Sequence, residues 1–486
     1  MYGLDVIFIG SEIGLLAAAA LLAGRGARVL VLEGQDRTVD EKSVLAKEGF
    51  TFECEPPAFG GFQLDGPAYR VMKEAAVEVR AERIDPAAEV ITSGHRIKVY
   101  GDAEKLSFEL WREFPGDIWR INRFLASLER MENDLWQASR PRPIPMPLNV
   151  RDWVRELIAL NYRYLRIRPH FKRTLREHLQ RFVRNEGFRG FIDLLALAFG
   201  QTTSEGCSLA YAANALMIGK RGFYYLHGGR RNLARRLIES LLRKDGEVRF
   251  NSKIERIILS GGRALGLRLE GGEVINARYI VAAESEWMGH LRKSTERELS
   301  ADRLAPLRRG RGPVLCLGVD NRAIESGPQG QLILLEGSRS EPSQGAPLSI
   351  FIYPADDPTS APDGRRIITV SSLSLAVLGR DESPGPVDYA SKVLNRLREV
   401  WPRIGEQAVI IEPLAFDGLP APSEPSGEAR ALHDIGLTGH VGFLKKTPVD
   451  NLLALAGRVP FGWRGASAFA SSLYLADFIL REMGIK

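Results

Sequence analysis

The segment Leu4 to Glu33 leaves few folds open to this chain. Leu4-Asp5-Val6-Ile7-Phe8-Ile9-Gly10 reads as a short apolar strand running into a tight turn. Ile13-Gly14-Leu15-Leu16-Ala17-Ala18-Ala19-Ala20-Leu21-Leu22-Ala23 follows as a buried helix, and Ala27 to Leu32 as a second parallel strand that ends on Glu33. An acid about 20 residues after the first glycine completes the unit that normally holds the AMP half of a dinucleotide. In its G-x-G-x-x-G turn the first glycine makes the turn, the second admits the pyrophosphate, and the third lets helix and strand pack closely. Gly10, Glu12 and Leu15 stand in those three places. A glutamate in the second place repels a pyrophosphate and fills its space. The fold signal is intact while the ligand signal is altered.

At 486 residues the chain exceeds one ordinary core, so two interleaved domains are expected. Cys54, Cys207 and Cys316 are scattered, which predicts free thiols in a reducing cytosol. The N-terminus has no basic n-region and its apolar run is the first strand, so no secretory signal is expected. The apolar stretch Ile13 to Ala23 is too short to span a bilayer. His95, His170, His178, His227, His290, His433 and His440 have no metal-ligand spacing, and no metal is expected.

From Lys244 to Glu284 the pattern changes to short strands: Val248 to Phe250, Ile254 to Leu259, Ala264 to Leu269 and Val274 to Ala277. Gly261-Gly262 and Gly271-Gly272 punctuate them. Tyr279 to Ala283 reads as a separate buried strand returning to the parallel sheet. Gly228-Gly229 reads as a turn that starts the helix Asn232 to Leu242, with Leu233, Leu237, Ile238, Leu241 and Leu242 as its apolar face. Leu452 to Ala456 is another buried strand, which leads through Gly462-Trp463-Arg464-Gly465 into a terminal helix, Ala466 to Glu482. Arg140 to Pro147 is a stiff, proline-rich connector.

With these residues laid out, the chain resembles the flavin-dependent amine oxidase and phytoene desaturase superfamily, and its desaturase-like branch best. The resemblance is carried by the N-terminal unit, the stretch Gly49 to Glu53, the Gly228-Gly229 helix with its meander, and the segment Leu455 to Ala466. It implies an α/β fold: an FAD/NAD(P)-binding Rossmann-like domain, with a parallel sheet plus β-meander, interleaved with a mixed α+β substrate or cap domain. The expected segments are 1–66, 210–290 and 445–486 for the first domain, with a helical part over 67–209 and a sheet part over 291–444 for the second. It also implies FAD in an extended pose, flanked by Gly10, Glu12, Gly14, Glu33, Gly457, Arg458, Gly465 and Ala466. Catalytic residues stay unknown at this stage.

The departures from the family pattern fall on positions that would touch FAD. Glu12 replaces the close-approach glycine, Gly34 to Lys42 lacks the Gly-Gly-Arg segment, Glu55 stands for a glycine beside the flavin, and Arg458 follows Ala456-Gly457 where the family has Asp. The expectation is that FAD is lost or weakly bound and that Glu12 pairs with Arg458. Glu33 is either a ribose-binding acid or a polar residue closing a strand, and both readings stand. The function expected is a non-catalytic binding or structural subunit associated with a partner enzyme, a flavin-bearing relative included. The alternative is an active FAD-dependent oxidoreductase, of desaturase or amine oxidase type, acting on a hydrophobic substrate.

Residues 151–189 carry eleven Arg or Lys against four Asp or Glu, interleaved with Trp153, Tyr162, Tyr164, Phe171 and Phe182. A mostly helical, basic face is expected there, either simply solvated or facing an anionic membrane surface. No nucleic-acid-binding module is present, so nucleic acid is not an expected partner. The expected location is the cytoplasm, with a peripheral membrane position if the basic face binds lipid.

Overall fold

The computed structural model describes residues 3–53, 56–92, 94–138, 166–171, 173–200, 203–283, 298–300, 314–324, 330–337, 346–373, 386–414, 444–446, 449, 451–455 and 466–485. One sheet runs in the order Glu247–Arg249, Val29–Leu32, Leu4–Ile9, Val274–Ala283, Arg263–Leu269, Ile254–Ser260, Glu298–Ser300. Leu452–Leu455 also pairs with Val274–Ala283, in parallel. Strands from the beginning, middle and end of the chain therefore share one sheet.

Val274–Ala283 joins the two halves of that sheet, and it corrects the expectation of two separate strands. Val274 to Asn276 pair antiparallel with the meander, and Ala277 to Ala282 pair parallel with the first strand. No turn residue interrupts Ala277-Arg278-Tyr279, so the backbone continues. Its burial passes from alternation at residues 274–277 to a continuous buried run at 280–282, as the chain leaves a half-solvated meander for a sheet covered on both faces.

Helix Ile13–Gly24 covers the first strand, and every residue from Ile13 to Ala23 is buried. Helices Gly229–Leu242 and Ala466–Met483 pack against it in one apolar cluster. The Ser472 hydroxyl donates to the Gly14 carbonyl at 2.6 Å. Helix Gly229–Leu242 starts before the expected Asn232, and Leu242 is 51% exposed rather than part of the buried face. The buried face is Leu233, Ala234, Leu237, Ser240 and Leu241.

A second sheet runs Ala408–Leu414, Val314–Asp320, Arg365–Ser372, Leu348–Ile352, Gln331–Leu335, Ala88–Ile91, Arg96–Val99. The hairpin Val44–Lys47 and Phe50–Glu53 lies on it: a Cβ at Gly318 would meet the Phe50 ring at 2.8 Å. A small sheet, Ala58–Gly60, Phe223–Leu226, Ala81–Ile84, sits between these parts. Helices Ile118–Ala138, Leu175–Phe182, Glu186–Gly200 and Leu209–Leu216 share the core of the second sheet.

Residues 151–165 and 172 of the basic segment lie outside the described residues. From residue 166 onward the segment is largely helical, with Arg166, Arg173, Arg176, Arg181 and Arg184 exposed. Phe171 is buried against the helical layer rather than displayed among the cations. Among the described residues no helix is long and apolar enough to cross a membrane.

Candidate functional site

The nucleotide turn separates what its backbone requires from what a ligand would require. Gly10 has φ +100°, a conformation that only glycine adopts without strain, so the turn keeps its first glycine. Glu12 has φ −64° and ψ 146°, extended backbone open to any residue. Nothing in the fold calls for glycine there; only a closely approaching ligand would. A Cβ on Gly14 would lie 3.2 Å from Leu455 Cδ2 and 3.3 Å from the Ala468 methyl, so that glycine serves packing. Leu15, in the third glycine's place, is fully buried with its Cδ1 beneath Gly10.

Glu33 ends the second strand and is buried. Its Oε2 accepts the Ser11 hydroxyl at 2.5 Å and its Oε1 accepts the Gln35 N–H at 3.2 Å. The Ser11 oxygen in turn accepts the Val39 N–H at 3.1 Å. Val39 begins a short helix, Val39–Lys42, closed by a capping box in which Thr38 and Glu41 bond each other's backbone. Gly34 to Lys42 thus lacks the family's glycine-rich lining and carries a capped helix in its place. The signal was present in the sequence as Thr38-x-x-Glu41.

From that helix the network continues to Glu53. Asp40 accepts Arg230 Nε at 2.7 Å, and the Arg230 guanidinium lies 5.0 Å from the Phe59 ring centroid. Glu53 accepts the Arg230 backbone N–H on both oxygens, at 3.1 and 3.2 Å, at the N-terminus of helix Gly229–Leu242. A Cβ on Gly229 would fall 1.8 Å from Glu53 Oε1, and Gly229 has φ +73°. The second glycine of the pair is thus more than a turn residue: it makes room for a carboxylate. Burial raises the Glu53 carboxyl to about 7 from an ordinary 4.5. The Arg230 N–H and charge oppose that rise, and Asp40 adds to it.

A second buried polar group lies between the small sheet and the second sheet. Asp357 accepts the Tyr225 hydroxyl at 2.6 Å, the Ser360 hydroxyl at 3.0 Å and the Thr359 hydroxyl at 2.5 Å. Burial pushes the Asp357 carboxyl up, but these donors outweigh it and hold it below the usual range. His227 stands 4.0 Å from Asp357 and bonds Glu82 at 3.0 Å. Tyr353, fully buried beside Tyr225, has no partner for its hydroxyl among the described residues.

Of the expected cofactor positions, Gly10, Glu12, Gly14 and Glu33 come together at the turn, and Ala466 opens the C-terminal helix, buried. Gly457, Arg458, Gly465 and Glu55 lie outside the described residues, and with them the Glu12–Arg458 pair. Among the described residues no group of three or more His, Cys, Asp or Glu could hold a metal ion. Sequence reasoning missed Ser11, Asp40, Arg230 and Asp357, because each acquires its role from a partner far away in the chain.

Residues 16–417 match the model of the family described as flavin containing amine oxidoreductase. The chain is 26% identical over 313 residues to the chloroplastic prolycopene isomerase of Daucus carota, covering 60% of this chain and 48% of that one. It is 24% identical over 435 residues to a phytoene desaturase (neurosporene-forming) of Cereibacter sphaeroides, covering 82% and 79%. The chain therefore spans about half the length of the prolycopene isomerases it matches. An oxidoreductase from Methanosarcina mazei superposes with TM-score 0.64 at 16% identity, over 96% of this chain and 99% of that one. Cyclohexylamine oxidase from Brevibacterium oxydans superposes with TM-score 0.60 at 15% identity, over 99% of both. At such identities the likeness is one of fold. Family membership implies FAD. The turn, the shared sheet and the family match over most of the sequence lead to one assignment: the chain belongs to the flavin containing amine oxidoreductase family.

Proposed function

We propose that this chain uses its family's fold as a binding or structural subunit, associated with a partner enzyme such as a flavin-bearing relative, and does not hold FAD in the extended family pose. One observation carries the reading. The backbone at Glu12 is extended and needs no glycine, so a glycine there would serve a ligand's approach rather than the turn. The residues of the turn do not fit the group. A pyrophosphate oxygen about 4 Å from the Glu12 carboxylate meets roughly 4 kcal/mol of repulsion at a typical protein-surface dielectric. The acid that would take a ribose hydroxyl, Glu33, is buried and accepts one bond on each oxygen, from Ser11 and Gln35.

A second reading, an active FAD-dependent oxidoreductase on a hydrophobic substrate, is favoured by the relatives, which include a desaturase and an amine oxidase. The visible spectrum of the purified protein separates the two. The binding-protein reading expects no flavin bands, no flavin uptake on incubation with FAD, and none with Glu12→Gly alone, since Arg458 and Glu55 remain. Near-stoichiometric bound flavin in the unaltered protein hands the case to the oxidoreductase.

A further inference from the structure

Helices Ala103–Glu113 and Ile118–Ala138 follow one another across a short turn and send Leu110, Ile121, Phe124 and Leu128 into the core. Their solvent sides should by that pattern be polar. Instead they carry three large aromatics: Phe108, Trp111 and Trp119 are 60, 52 and 55% exposed. The Phe108 and Trp111 rings lie 5.8 Å apart. On the same exposed side the Asn122 amide donates to the Ser107 hydroxyl at 3.1 Å and ties the two helices together. Trp111 stands one turn after Ser107 and Trp119 one turn before Asn122, so both indoles share the face of that bond, on the side of the connecting turn. Exposed aromatics gathered in this way mark a contact surface rather than a solvated one.

The charge around these rings is of one sign. The guanidiniums of Arg120 and Arg123 lie 5.1 and 5.8 Å from the Trp119 ring centroid. Trp119 also lines a cleft of about 350 Å³ in which Arg173 and Arg181 join Arg120 and Arg123, and no carboxylate lines it. Arg120 pairs with Asp117 at 3.3 Å, and Arg112, next to Trp111, pairs with Glu109 and Glu113. The excess of positive charge therefore falls on the Trp119 side of the face. Rings and cations side by side match the boundary of an anionic bilayer, where indoles rest at headgroup depth and guanidiniums meet lipid phosphates. The rings stand on open helical surface, and insertion into a fluid interface asks for no matching cavity.

We propose that the exposed face of helices Ala103–Glu113 and Ile118–Ala138 docks on the surface of an anionic phospholipid bilayer. Phe108, Trp111 and Trp119 enter at headgroup level, and Arg123, Arg173 and Arg181 face the lipid phosphates. The contact is peripheral: among the described residues no helix is long and apolar enough to cross a membrane. Aromatic insertion gives this face a salt-resistant share of binding, which a basic surface alone would not have. The inference is independent of whether the chain holds flavin.

The test is cosedimentation of the full chain with vesicles of equal parts phosphatidylcholine and phosphatidylglycerol, and with vesicles of phosphatidylcholine alone. Binding to the mixed vesicles is expected to be stronger by about tenfold or more. Trp111→Ser with Trp119→Ser should weaken it by about tenfold or more at low and high salt alike, because the apolar contact is lost. Arg173→Gln with Arg181→Gln, both at exposed positions, should remove about tenfold at low salt and little at high salt. Arg235→Gln, exposed on another helix, should bind as the unaltered protein does. A measurement that needs no variant is the tryptophan emission of the unaltered protein, which mixed vesicles with brominated acyl chains should quench. Absence of binding to the mixed vesicles, equal binding to phosphatidylcholine alone, indifference to the paired tryptophan variants, or bound protein that stays unquenched would overturn the proposal. Retention on immobilised polyglutamate without vesicle binding would assign the face to an acidic protein and overturn it as well.

Discussion

Glu53 lies 4% exposed against the N-terminus of helix Gly229–Leu242, and burial sets its titration to about 7. The sign of the resulting pH dependence follows. The folded carboxyl binds its proton more tightly than the unfolded one at 4.5, so its contribution is fully present below that value. It is lost as pH rises through about 7, because the unfolded chain has already released its proton while the folded state must charge a buried group. The loss amounts to about 3 kcal/mol. Urea unfolding of the protein and of Glu53→Gln at pH 4 to 8 should show a falling stability difference that flattens above neutrality; parallel curves would refute the assignment. Gly229→Ala is a companion case, because it combines φ +73° with a Cβ 1.8 Å from Glu53 Oε1. It should lose about 3 kcal/mol or more through strain and overpacking together. Gly261→Ala, at φ +57° with open space around its Cβ, should lose only about 1–2 kcal/mol. Equal melting shifts for the two would count against the packing argument. In the sequence the two glycines of 228–229 show only a turn. The carboxylate that requires one of them is 176 residues away from Gly229 by number, at Glu53.

Elements with a strong period are legible in the sequence, and their seams are not. The strand Leu4–Ile9 and the helix Ile13–Gly24 follow from an apolar run, a positive-φ glycine and an alanine-rich stretch. Helix Val39–Lys42 is too short for a period and shows only through its capping box. The seam between the meander and the closing strand rests on Asn451, 1% exposed. Its Oδ1 accepts the Ala264 N–H at 2.7 Å, and its Nδ2 donates to the Ala264 and Arg278 carbonyls at 2.6 and 2.7 Å. Asn451→Leu keeps the branching at Cγ but adds bulk, and it strips all three backbone groups of their partner, so it should destabilise by about 3 kcal/mol or more. Chemical denaturation reads this directly, and a shift under about 1 kcal/mol would mean that water or neighbouring groups replace the amide. A single asparagine after a charged turn has no period or motif to mark it.

For the whole molecule, the placement of Leu452–Leu455 beside Val274–Ala283 and of Ala466–Met483 against Ile13–Gly24 makes one core from distant parts of the chain. Ending the chain at residue 443 should expose the apolar face of Ile13–Gly24 and an unpaired strand edge, and should abolish cooperative thermal unfolding in near-ultraviolet dichroism. A truncated protein melting like the full chain would show that the closing segment is dispensable. The sequence by itself determined the nucleotide turn, the parallel strands, the meander and the resemblance to a flavoprotein family, because these depend on local period and on residues adjacent in the chain. It also exposed the altered glycine at Glu12, since the motif assigns that position a ligand-side task. Only the tertiary structure decided that Ser11 and Gln35 bond Glu33, that Asp40 and Glu53 share Arg230, and that arginines from two helices line one cleft with Trp119. Those arrangements are set by which surfaces exclude water when helices and sheets pack. Buried donors and acceptors must then find partners across the core, however far apart they stand in the sequence.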